Sequence, residues 1–229
     1  MGHMLSQPVV LDEAFEKKIK TLVRPVKGFP NPDFTFGDIT PLLADATAFG
    51  QVIDKFTARY KDAGLVAIAA PEARGFFFGP PLAKALGVGF LPIRKKDQLP
   101  GPTHQSDIVK MDYGDRCLEL HEGILPSGGA GKVVIVDDIL ATGGSAIACC
   151  GILEKAGMTI HELAVVYDYS AGKSVLPGRD MLTNKGYTVF ALAKFCDDRA
   201  NGSMLWWQER GSDEDIVISP HMGKMNKQH

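Results

Sequence analysis

Short apolar runs alternate with helix-patterned stretches through the middle of the chain, and this alternation restricts the fold more than any other feature. LVAIAA at 65–70, VGFLPI at 88–93, KVVIV at 132–136, IHELAVVYD at 160–168 and YTVFALA at 187–193 read as strands. Between them, Phe49, Val52, Ile53, Phe56 and Tyr60 fall at helical spacing within 45–64, with Asp45 placed to cap the start and Gly64 the end. FFFGPPLAKALG at 76–87 reads as a helix interrupted near its start by Pro80 and Pro81, and 144–156 as a helix stopped by Gly157. The basic, Pro/Gly-rich stretch from Arg94 to Thr103 reads as a long loop, and 107–114 and 116–123 as an antiparallel pair of strands. Strands that alternate with helices predict an α/β fold with a mostly parallel sheet flanked by helices. Ligands of such sheets bind at the carboxyl ends of the strands. That rule points to Asp137, Asp138 and the loop after them, and to the PEARG turn at 71–75.

The stretch VVIVDDILATGGSA, residues 133–146, poses a problem of charge. A Gly- and hydroxyl-rich loop entering a helix cradles a phosphate through backbone N–H groups and the positive end of the helix dipole. Ala141, Thr142, Gly143, Gly144 and Ser145 suit that task, yet two carboxylates stand beside them. Carboxylates repel phosphate but accept hydrogen bonds from hydroxyls or meet a cation. A sugar phosphate satisfies both halves, with its phosphate over the loop and its hydroxyls on the acids. The plainer reading, acids that only cap turns at a strand end, suits an isolated Asp pair better than this whole run.

Other motifs fail on spacing. The GKS of YDYSAGKS has Tyr167 where a P-loop needs glycine, and GVGFLP has Pro92 where a dinucleotide fingerprint needs its third glycine. The six histidines show no metal-ligand spacing. A formal net charge of −2 argues against a general nucleic-acid binder. No apolar run is long enough to span a bilayer, which argues against a membrane protein. Four cysteines without a CxxC pair fit free thiols in a reducing compartment, hence a cytoplasmic location. The opening MGHM, residues 1–4, reads as a remnant of cloning.

The run at 133–146 closely resembles the phosphoribosyl-pyrophosphate (PRPP) motif of the type I phosphoribosyltransferases. FPNPDFTFGDITPLL, ARGFFFGPPLAKALG, PIRKKDQLPGPT and MDYG resemble, in order, segments of the adenine branch of that family, covering about residues 29–195. The resemblance implies a type I phosphoribosyltransferase fold and an enzyme of purine salvage. Such an enzyme would transfer the 5-phosphoribosyl group from PRPP to N9 of adenine, with magnesium, giving AMP and pyrophosphate. It implies that Asp137 and Asp138 bind ribose hydroxyls, that Ala141, Thr142, Gly143, Gly144 and Ser145 hold the 5′-phosphate, and that Arg74 and Lys95 bind pyrophosphate. Phe36 would stack on adenine, and the backbone of Thr35 and Gly37 would read its edge, although Gly37 stands where arginine is common. Asp112, where the family usually has Glu, would act as general acid/base; Arg94 and Tyr113 would belong to a mobile loop. Magnesium would bind mainly through PRPP oxygens and water, with no direct protein ligand expected. The turn at Glu72–Ala73 would hold a non-proline cis peptide.

The division that follows is an N-terminal base-binding segment at 5–44, a phosphoribosyltransferase core at 45–196 and an extension at 197–229. Trp206 and Trp207 in that extension suggest a tail packed on its own core or on the partner of a homodimer. Two rivals remain: an enzyme for hypoxanthine, guanine or xanthine, and a PRPP-sensing regulator. A regulator needs a DNA-binding module, and no helix-turn-helix pattern precedes residue 45.

Overall fold

A computed structural model of the chain describes residues 13–27, 29, 35–107, 109–111, 114–124, 130–169, 177–194, 204–205 and 217–218. Asp112, Tyr113, Trp206 and Trp207 lie outside the described residues. The chain opens with α1 (Glu13–Leu22) and an antiparallel pair, β1 (Arg24–Lys27) and β2 (Thr35–Asp38), followed by α2 (Thr40–Ala44), α3 (Ala46–Tyr60) and β3 (Leu65–Pro71). A 3₁₀ turn (Arg74–Phe77) leads into α4 (Gly79–Leu86) and β4 (Gly89–Lys95). Then come β5 (Thr103–Gln105), β6 (Val109–Met111), β7 (Gly114–Arg116), β8 (Leu118–His121) and β9 (Gly131–Leu140). The last main elements are α5 (Gly144–Lys155), β10 (Met158–Asp168), α6 (Gly178–Thr183) and β11 (Val189–Lys194), with a two-residue strand pair, Met204–Leu205 and Val217–Ile218, beyond them.

Among the described residues, seven strands form one mixed sheet in the order β11-β10-β9-β3-β4-β8-β5. The first five run parallel; β8 is antiparallel to both β4 and β5. Alternation along the strands builds two apolar layers. Ile68, Val134, Val136, Ala164, Val166 and Leu192 face one way and bury Phe15 and Ile19 of α1, Val52 and Phe56 of α3 and Leu82 of α4. Ala67, Ala69, Val133, Ile135, Leu163 and Val165 face the other way and bury Ala148, Cys149, Ile152 and Leu153 of α5 and Leu182 of α6. This is the α/β architecture that the alternation predicted.

Several boundaries differ from expectation. The helix expected over 45–64 starts as foreseen, with the Asp45 carboxylate accepting the Ala48 N–H at 2.8 Å, but it stops at Tyr60, and Gly64 turns the chain in the left-handed region at φ 65°. Pro80 and Pro81 do not interrupt a helix. They open α4, where a missing N–H removes no helical hydrogen bond, and the preceding segment is the separate 3₁₀ turn. The expected pairing of 107–114 with 116–123 is replaced by two arrangements: β6 pairs with β7, Val109 opposite Arg116, while β8 lies between β4 and β5. Leu118, Glu119 and Leu120 are all buried, and such a segment takes a partner on each side. Arg94, expected on a mobile loop, therefore lies in β4 opposite Glu119; the loop proper is confined to 96–102.

Candidate active site

The chain passes from β3 to β4 on one side and from β9 to β10 on the other. The ends of β3 and β9 thus flank the point where the direction of winding reverses, where open α/β sheets leave a crevice. A cavity of about 460 Å³ lies there, lined by Pro71, Glu72 and Ala73 at the end of β3 and by Asp137 through Gly143 at the end of β9.

β9 runs four residues beyond the expected strand, keeping its ladder with β10 as far as Leu140 opposite Asp168, whereas its pairing with β3 ends at Ile135. Asp137 and Asp138 consequently sit on rigid backbone with the β3 side open. Asp138 is 1% exposed, and its Oδ2 lies 2.8 Å from Nη1 of Arg74. Burial raises Asp138, and the Arg74 charge only partly offsets this. Asp137 is pushed well above the usual carboxylate range, first by burial and then by the neighbouring Asp138 charge. Two adjacent acids with one cation between them form a site that resists carrying two negative charges. A ligand that offers hydroxyl donors or a second cation relieves that repulsion.

The next residues, Ala141, Thr142, Gly143 and Ser145, line the cavity; Gly144 is buried behind them. Gly143 is the N-cap of α5 at φ 84°, a conformation that disfavours any side chain, and no side chain caps this helix. The helix start is therefore left to the cavity, as an anion site needs.

Arg74 joins two other expected site residues. Besides its ion pair with Asp138, its guanidinium carbon lies 4.9 Å from the centre of the Phe36 ring. Phe36 lines the cavity from β2. Gly37 is buried, its carbonyl accepts from the Tyr167 hydroxyl at 3.4 Å, and it is not among the cavity-lining residues. Lys95 lines the cavity, and Arg94 does not: its Nε donates to Glu72 at 2.5 Å. Burial alone would raise Glu72, but the Arg94 hydrogen bond brings its carboxyl below the ordinary value. The Glu72–Ala73 peptide is cis, as the resemblance implied.

Three contributors escaped the sequence reading. Phe29 lines the cavity and meets Phe36 edge-on, with ring centres 5.4 Å apart; an aromatic ahead of a Pro/Asn run carries no periodic signal. Gly178 backs the 141–143 loop, its N–H donating to the Ala141 carbonyl at 3.0 Å. A Pro-Gly pair in a sequence signals a turn and says nothing about a ligand. Glu119, 3% exposed, accepts from the Asp97 N–H at 3.1 Å and the Gln105 amide at 3.0 Å, tying together the two ends of the loop after Lys95. Among the described residues no cluster of three or more His, Cys, Asp or Glu could ligate a metal. The acids that line the cavity next to the loop at 141–145 are Asp137 and Asp138.

Comparison with known proteins places this geometry in a family. Residues 43–184 match the phosphoribosyl transferase domain. The chain is 41% identical over 174 residues to an adenine phosphoribosyltransferase of Roseiflexus castenholzii, an alignment covering 76% of this chain and 96% of the relative. Among solved structures it resembles adenine phosphoribosyltransferase from Thermoanaerobacter pseudethanolicus, at 37% identity and TM-score 0.69, covering 78% of this chain and 99% of the other. It also resembles the Saccharomyces cerevisiae enzyme complexed with an imino-altritol bisphosphate and adenine, at 32% identity and TM-score 0.70, covering 79% and 99%.

Proposed function

Because this chain belongs to the phosphoribosyl transferase family, we propose that it is an adenine phosphoribosyltransferase of purine salvage, converting adenine and PRPP to AMP and pyrophosphate. One observation carries the reading. A helix-start anion loop, two adjacent acids, Arg74 and the Phe36 ring converge on a single cavity. Each suits a different part of one substrate pair.

In this reading Ala141 through Ser145 hold the 5′-phosphate, and Asp137 and Asp138 accept hydrogen bonds from the ribose hydroxyls. Adenine N9 attacks C1′ as the bond from C1′ to the pyrophosphate oxygen breaks, with inversion. Positive charge spreads over the ribose ring in the transition state, and the two carboxylates favour it electrostatically. Arg74 and Lys95 neutralise charge growing on the departing pyrophosphate. Asp112 takes the N9 proton. Phe36 stacks on the base, and backbone groups of Thr35 beside it read the base edge; Gly37, outside the cavity lining, takes no part in this contact. Tyr113 belongs to the segment that covers the site, whereas Arg94, fixed in β4, acts through its bond to Glu72. The base-binding segment at 5–44, the core at 45–196 and the extension at 197–229 would divide these tasks.

Magnesium fits this donor set. It favours six oxygens and keeps several waters, so PRPP oxygens and water would supply most ligands, with Asp137 and Asp138 reached through hydroxyls or water. When bound, it stabilises negative charge on the leaving pyrophosphate. We place the enzyme in the cytoplasm as a homodimer; the free thiols of Cys117, Cys149 and Cys150 suit a reducing compartment.

The test is pyrophosphate release from PRPP and magnesium with adenine, hypoxanthine or guanine in competition. Adenine offers a donor at C6 and an acceptor at N1, and hypoxanthine reverses both. A wrong base leaves buried groups opposed at about 1–3 kcal/mol each. A kcat/KM for adenine on the order of a hundredfold above hypoxanthine is the expected result, as two such penalties imply. Equal values would defeat backbone readout of the base. A guanine preference would make the protein a different purine enzyme, and PRPP binding without turnover would make it a sensor.

A further inference from the structure

The wall behind the phosphate loop comes from a different part of the chain, the turn that opens α6. Gly178 donates its N–H to the Ala141 carbonyl at 3.0 Å. The approach leaves no room for a side chain: a Cβ at Gly178 would lie 2.2 Å from the Ala141 carbonyl oxygen and 3.0 Å from the Gly143 nitrogen. Clearance is equally short from the other side, where a Cβ at Gly143 would lie 2.8 Å from Gly178 Cα. The neighbouring residue anchors this turn to the sheet. Arg179 donates through Nε to Asp168 at 2.6 Å, brings Nη2 to the same Asp168 oxygen at 2.5 Å, and donates through Nη1 to the Val189 carbonyl at 3.1 Å. Asp168 is fully buried at the end of β10, so its charge holds the arginine in a fixed place. The Tyr169 N–H meets the Leu140 carbonyl at 2.8 Å, fixing the start of the same loop from the same strand end.

We propose that Gly178 is a positioning residue for the 5′-phosphate: with Arg179 and Asp168 it forms a rigid backstop that sets the path of residues 141–143, and so the direction of the N–H groups offered to the anion. The proposal rests on the reading of 141–145 as the phosphate loop. Backbone donors act only from a narrow range of positions, and the helix that this loop enters has no side-chain cap at its start. A methyl group at Gly178 pushes on loop backbone rather than on a flexible side chain, so the loop must move.

The test compares Gly178→Ala and Arg179→Lys with the parent enzyme in both directions of the reaction, alongside melting temperature. Gly178→Ala is expected to raise KM for PRPP and for AMP on the order of tenfold to a hundredfold, the scale set by an ångström of misplacement. KM for adenine, and for pyrophosphate at saturating AMP, should stay within about twofold, since those groups bind away from this loop. Arg179→Lys keeps the charge but loses the fork, and should shift the same two constants less. AMP titrated calorimetrically onto folded Gly178→Ala protein gives the same answer without turnover. Uniform changes in all four constants, or a lower melting temperature with constants unchanged, would reduce Gly178 to a packing residue and overturn the proposal. Should Gly178→Ala not fold, an Arg179→Lys enzyme with unchanged PRPP and AMP constants would overturn it as well. A parent enzyme inactive on PRPP and adenine would instead sink the underlying assignment.

Discussion

Asp137 and Asp138 lie near the end of β9, Asp138 buried and Asp137 half-buried, and folding therefore works against their charge. Burial, then the Asp138 charge, raises Asp137 well above its ordinary value. A carboxyl raised in the folded state contributes stability below its unfolded value and loses it as pH climbs through the raised value. Asp137→Asn keeps the oxygen that accepts the Asp138 N–H at 2.9 Å and removes the charge. The variant should melt at the same temperature as the parent near pH ~4, where an unfolded Asp is half protonated, and higher at alkaline pH. Every tenfold difference in proton affinity between the folded and unfolded chain corresponds to about 1.4 kcal/mol, or about 3–6 °C for a chain of this size. Turnover should fall on the order of a hundredfold, the cost of losing one preorganised electrostatic partner. Melting curves across pH and steady-state kinetics read the two effects separately. A variant equally active and no more stable would make Asp137 a turn cap. Asp138→Asn should slow the enzyme similarly and also strip Arg74 of the ion pair at 2.8 Å.

At the level of elements, β9, the following loop and α5 were legible because pattern and chemistry agree there: an apolar strand, turn glycines, then a helix. The region from Arg94 to His121 was not. Its strands are short, and their partners are fixed by Glu119, which reaches both Asp97 and Gln105. Asp97 sits at φ 65°, a conformation Asp tolerates better than most residues, with its N–H held by that carboxylate. Glu119→Ala should release the loop that follows Lys95. We expect KM for PRPP and pyrophosphate to rise on the order of tenfold, with KM for adenine unchanged. Glu119→Gln should restore most of this, because a flipped Gln105 amide can accept from the new one. An alanine variant whose KM values all move together would make Glu119 a fold residue only.

At the scale of the molecule, the N-terminal helix is part of the core. Phe15 and Ile19 are buried among residues of α3, β10 and β11, and the Glu16 carboxylate accepts the Lys194 N–H at 3.0 Å. Ile19→Ala should cost about 2–5 kcal/mol, roughly 10 °C at 2–4 °C per kcal/mol. PRPP and adenine constants should hold, since the cavity lies at the far ends of β3 and β9. Thermal denaturation with matched kinetics checks this; a melting point within about 2 °C of the parent would show that α1 is dispensable. On the same layer, Arg59 forks onto Glu162 at 2.6 and 2.8 Å and lies 4.0 Å over Phe190, fixing α3 to the sheet edge.

The sequence by itself determined the layered α/β architecture, since the period of its apolar residues fixes which elements form and which faces they bury. It also marked the loop at 141–145 and the two acids before it as a candidate sugar-phosphate site, because these are consecutive residues whose chemistry is local. Tertiary structure decided everything assembled from distant segments. It set Arg74 between Phe36 and Asp138, put Gly178 against Ala141, and inserted β8 between β4 and β5. Contacts of that kind depend on crossover direction and strand order, and neither leaves a periodic trace in the chain.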